Sequence, residues 1–104
     1  MKNSMANIRR QSMLNAYAQH MYELHMKLSD AVEKEEYESA SLIHKNINSE
    51  YRMFIGMLKS EGFYESGTTE SRLYDLDKRA KNVADKVRAE MKRLDSELDL
   101  PDYQ

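Results

Sequence analysis

Two apolar patterns of helical spacing meet across the charged break Glu33-Lys34-Glu35-Glu36, and this meeting point restricts the fold of the 104-residue chain more than any other stretch. Before the break stand Leu28, Ala31 and Val32. After it Tyr37, Ala40, Ile43, Ile47 and Tyr51 recur three and four residues apart, as one face of a helix requires. Four consecutive charged residues have no use for a core. A turn placed there makes a helical hairpin in which the small Ala31 and Ala40 face one another, the two backbones approach closely, and Val32 and Tyr37 pack near the bend. Such a hairpin offers surface for interaction and no chemistry.

The same spacing continues in both directions. Leu14, Tyr17, Ala18, Met21, Leu24, His25 and Leu28 lead into the break as one stripe, with Asn15, Gln19, Glu23, Lys27 and Asp30 opposite. A first helix is therefore expected over residues 4–34, capped by Asn3 or Ser4. The second is expected over residues 36–61, where Phe54 and Leu58 extend the apolar face and Glu35, Glu36 and Glu38 suit the positive end of its dipole. Met53, Ile55 and Met57 widen that face, which predicts that residues 53–58 are central to the fold or to an interface between copies. Gly56 among them reads as a point of close backbone packing.

Gly62 ends the second helix, and residues 62–68 form a loop whose Phe63 and Tyr64 should fold back over the helix ends, because free aromatics are costly in water. Thr68 or Thr69 caps a third helix over residues 69–98, and Pro101 closes it, leaving a short tail at 99–104. Leu73, Leu76, Ala80, Val83, Val87, Met91, Leu94 and Leu98 give this helix the cleanest period in the sequence. A stripe of that kind needs a helical partner, supplied by the first two helices or by a second copy of the chain.

One proline, three glycines and no strand-like alternation complete the expectation: an all-α, three-helix antiparallel bundle with a long helical hairpin, one domain over residues 1–104, with a homodimer as one way to cover the third stripe. The eight methionines read mostly as core fillers. The absence of cysteine rules out disulfides and fits a reducing compartment. A net charge of −2 argues against non-specific nucleic-acid binding as the main task. Residues 1–15 hold no apolar run, so neither a signal peptide nor a membrane span is expected, and the chain reads as cytoplasmic.

The run from Ala31 through Tyr37, Glu38, Ala40 and Ile43 to Ile47 resembles the UVR motif, the short helical hairpin of the bacterial excision-repair proteins UvrB and UvrC that recurs in Clp-type chaperones and McsA-like adaptors. Those six residues stand in register with the family pattern. His44 and Lys45 occupy the place of its Arg-Asp pair, and Ser41 replaces its second alanine, departures that bear on partner identity more than on shape. The resemblance covers residues 28–51 and implies a module that docks on another protein.

Catalytic signals are missing. His20 and His25 are five apart and turn away from each other on a helix, His25 on the apolar stripe reads as a hydrogen-bonded core histidine, and no phosphate loop, nucleophile elbow or metal-ligand spacing accompanies His44. No enzyme, cofactor, metal or small-molecule substrate is expected. The favoured function is an adaptor, regulator or inhibitor that docks on a repair-nuclease or chaperone-protease machine, a phage-type host-takeover factor being one form of it. Its contact residues would be Tyr37, Glu38, Ser41, His44 and Lys45. A nucleic-acid accessory protein is the alternative, using Arg9 and Arg10 near Lys2 with Arg79, Lys86 and Arg93, although interleaved acids make the third helix an ordinary salt-bridged face. A structural homo-oligomer through Leu73, Leu76, Val83, Val87, Met91 and Leu94 is the third reading.

Overall fold

The computed structural model describes residues 2–98, with side chains from residue 5 onward, and holds three helices and no strand among them: α1 (Lys2–Glu33), α2 (Tyr37–Ser60) and α3 (Thr68–Leu98). The protein is an all-α three-helix bundle. The backbone of α1 is already helical upstream of the Asn3 and Ser4 expected to cap it. The side chain of Lys2 and the tail at 99–104 with Pro101 lie outside the described residues.

The helices run up, down and up, but they do not share contacts evenly. α1 packs against both neighbours, while α2 and α3 barely meet. Arg9 pairs with Glu61 and Tyr17 stacks on Phe54, so α1 and α2 are antiparallel. His25 meets Asp77 and Asp30 meets Arg88, so the larger interface, α1 with α3, is parallel and offset. The body is flat and long, 67 × 33 × 17 Å, because α1 reaches only as far as Arg88 of α3. Residues 89–98 continue past it for about 15 Å.

Leu14, Tyr17, Met21, Leu24, Ile47, Phe54, Leu58, Leu73 and Ala80 form the core, with Phe63 and Tyr64 folded back against it. Met21, Leu58 and Leu73 are fully enclosed. The loop is braced by Thr69, whose buried hydroxyl accepts from the Glu65 amide at 2.8 Å. Lys59 lies over the Tyr64 ring, 4.8 Å from its centroid.

Several expectations change. Val32 and Tyr37, expected to pack at the bend, are exposed, and only the small Ala31 and Ala40 are buried there. Met53 and Met57 point outward while their neighbours Phe54 and Leu58 are buried, so the wide arc of residues 53–58 is only half used. Met5 and Met91 are exposed as well, which leaves Met21 as the one fully buried methionine among the described residues. A Cβ at Gly56 would meet nothing within 4 Å, so close packing is not its role.

On α3 the buried seam is Leu73, Ala80 and Ala84, with Asp77 bonded to His25. Residues 73, 77, 80, 84, 87, 91, 94 and 98 repeat by four, then three, a coiled-coil heptad displaced by one residue at two positions from the stripe read in the sequence. Leu76 is half-buried and Val83 is 49% exposed, whereas Ala84 is fully enclosed. Beyond Val87 the seam has nothing to pack on, and Met91, Leu94 and Leu98 are exposed.

Candidate functional site

The hairpin is closed by backbone hydrogen bonds that any sequence could make and by one residue in an unusual conformation. The Glu36 amide donates to the Ala31 carbonyl at 2.8 Å and the Glu35 amide to that of Val32 at 3.0 Å, the paired bonds of a Schellman motif. Glu35 takes φ 60°, a left-handed position normally given to glycine. The same motif at the end of α2 does use glycine: Gly62 has φ 78°, and Phe63 donates to Leu58 at 2.8 Å. A glutamate at the first turn keeps the hairpin tip charged at some conformational cost.

Outward from that turn, Tyr37, Ser41, His44 and Lys45 lie zero, four, seven and eight residues along α2 and so share one helical face. All four are exposed, as is Glu38 beside them. Leu42 widens the face with a second large apolar side chain, one that sequence periodicity did not single out because it falls outside the core stripe. Val32 flanks the same tip from α1.

The cations of the alternative reading are scattered, and two of the five, Arg9 and Arg93, are held in ion pairs. Arg9 makes two hydrogen bonds of 2.8 Å to the Glu61 carboxylate, tying the start of α1 to the end of α2 and holding the Glu61 carboxyl below the usual carboxylate range. Arg93 is gripped by Glu90 and Glu97 on its own helix. Among the described residues Arg10 reaches only Asn7. Arg79 borders a groove between α1 and α3 with Tyr22 and Val83, and Lys86 is exposed on the same line of α3. Arg88, one of the third-helix cations that spacing did not single out, bridges Asp30 at 3.1 Å and Glu33 at 2.6 Å and so fixes α3 to the end of α1.

Of the oligomer residues, Leu73 is fully buried in the core, Leu76 and Val87 are half-buried, and Val83, Met91 and Leu94 remain exposed. His25 is buried, with Nε2 at 2.9 Å from Asp77 Oδ1, and His20 lies 3.5 Å from Glu50. Among the described residues no three His, Cys, Asp or Glu side chains converge, and no helix is long and apolar enough to cross a membrane.

A last feature lies between α2 and α3. Because these helices splay apart over α1, a depression of about 230 Å³ opens where all three converge, lined by Tyr17, Asn48, Tyr51, Tyr74 and Asp77 around Ile47 and Leu73. Burial, then the neighbouring Asp77 and Tyr51, push the ionisation of Tyr17 upward, so it remains a neutral phenol. No family model, curated protein or solved structure matches the chain.

Proposed function

We propose that this protein is a non-catalytic binding module that docks on a larger protein machine of the repair-nuclease or chaperone-protease class, as an adaptor, regulator or inhibitor. The observation that carries the reading is the outward surface of the hairpin, where Tyr37 is 64% exposed on one face with Ser41, His44 and Lys45, and Val32 and Leu42 are exposed near the same tip. Each large apolar side chain left in water forgoes roughly 1.5–3 kcal/mol of burial, which a partner surface recovers. Polar groups at Ser41, His44 and Lys45 add direction to such a contact. The resemblance of residues 28–51 to the UVR hairpin supports the choice of partner class.

Affinity capture with the full chain from its native host, followed by identification of the retained protein, tests this. Tyr37→Ala combined with His44→Ala should abolish capture while helicity by circular dichroism stays at the wild-type level. Unchanged capture refutes the proposal. The nucleic-acid reading is disfavoured by the ion pairs that occupy Arg9 and Arg93. A salt titration separates the two, since phosphate contacts weaken steeply with ionic strength.

A further inference from the structure

We propose that the depression between α2 and α3 receives one arginine side chain of the docked protein. This rests on the binding-module reading and extends its contact face, because Asn48 follows Tyr37, Ser41 and His44 along the same side of α2.

The chemistry of the walls selects the occupant. Tyr17, the α1 contribution and hence the floor, is 4% exposed, and one face of its ring is taken by Phe54 with centroids 4.6 Å apart. Its hydroxyl has no hydrogen-bond partner among the described residues. An orphaned buried hydroxyl costs roughly 1–3 kcal/mol, so the site is completed by a group that bonds to it. Among the described residues Asp77 is the only formally charged one lining the depression, and His25 holds its carboxylate through Oδ1. A carboxylate accepts at both oxygens, so a further donor can be taken. Tyr51 and Tyr74 add phenol rings whose faces are negative, and Tyr74 is 65% exposed.

These groups call for a planar cation rich in N–H donors and carried on an apolar stem. Guanidinium meets every requirement: its fork pairs with Asp77, a remaining N–H can donate to Tyr17 Oη, its plane stacks on one tyrosine, and the methylenes lie along the accessible rings of Tyr51 and Tyr74. An anion would face Asp77. A neutral aliphatic side chain would leave the Tyr17 hydroxyl unpaired.

Titration of the isotopically labelled full chain with L-argininamide, followed by amide chemical shifts, tests the site without knowledge of the partner. Saturable shifts are expected around residues 47–51 and 73–77, with a roughly millimolar dissociation constant for so small a probe. Citrullinamide, a neutral isostere, should produce none. Tyr17→Phe keeps the ring and its stack on Phe54 but removes the hydroxyl, and should weaken argininamide by roughly tenfold. Asp77→Asn should abolish binding; because it also disturbs His25, the Tyr17→Phe comparison keeps the test decisive. Absence of saturable shifts, equal shifts from citrullinamide, or unaltered affinity in Tyr17→Phe overturns the arginine site. Capture through Tyr37 and His44 is measured separately, so the failure of one proposal is distinguishable from the failure of the other.

Discussion

Exchanging the roles of two adjacent residues on α3 gives the sharpest test of how this bundle is held together. Val83 belongs to the apolar stripe visible in the sequence, yet it is 49% exposed, while its small neighbour Ala84 is completely enclosed between α3 and α1. Ala84→Leu drives a branched side chain into a seam with no spare volume, and overpacking of that kind costs about 1–3 kcal/mol. For a chain of this length that corresponds to a fall in melting temperature of roughly 4–20 °C. Val83→Ala removes two methyl groups already half in water, a loss of about 0.8 kcal/mol, and recovers about half a kcal/mol through the better helix propensity of alanine. Its net effect should be close to zero. Thermal and urea unfolding followed at 222 nm, at several protein concentrations to separate folding from association, measure both. If Val83→Ala proves as damaging as Ala84→Leu, α3 docks through the stripe read from the sequence and the heptad through Asp77 and Ala84 is wrong.

Two further perturbations probe the ends of α2. Glu35→Gly should stabilise the fold by about 1 kcal/mol, because glycine adopts the left-handed conformation at φ 60° without the penalty that glutamate carries there; a lower urea midpoint would show that the Glu35 side chain has a role the conformation does not reveal. At the other end, Arg9 holds the Glu61 carboxyl below its ordinary value, so the contact contributes above the usual carboxylate range and is lost as pH falls through the depressed folded value. The Glu61 side-chain titration, followed by NMR, should move up to the ordinary glutamate range in Arg9→Ala, and an unmoved midpoint would exclude the pair in solution.

The hairpin was the most legible part of the candidate site. Ala31 and Ala40 are both buried at the bend, and the polar run between them could go nowhere but a turn. Exposure of Ser41, His44 and Lys45 follows from their angular distance from Ile47 and Phe54, which a helical projection supplies, whereas Tyr37 was read as part of the apolar stripe and is exposed against that expectation. The depression between α2 and α3 was not legible. Its residues come from three distant segments, and Tyr17, Tyr51 and Leu73 read simply as members of their own apolar stripes. Nor could spacing reveal that Arg88 reaches back to Asp30 and Glu33, since a pairing across α1 and α3 depends on the offset between them.

What the sequence determined by itself is the number of helices, their places along the chain and the arc of each that must leave water, because a period near 3.6, the charged break at residues 33–36 and the stop at Gly62 are local properties of consecutive residues. What only the tertiary structure decided is which part of a broad apolar arc meets a neighbour. Val83 is as greasy as the residues that were chosen, but the seam of α3 against α1 runs through the small Ala80 and Ala84, so Val83 is turned outward; on α2, Met53 and Met57 are left exposed beside the buried Phe54 and Leu58. Periodicity marks an amphipathic face; the distance between backbones, which no single helix contains, selects the seam within it.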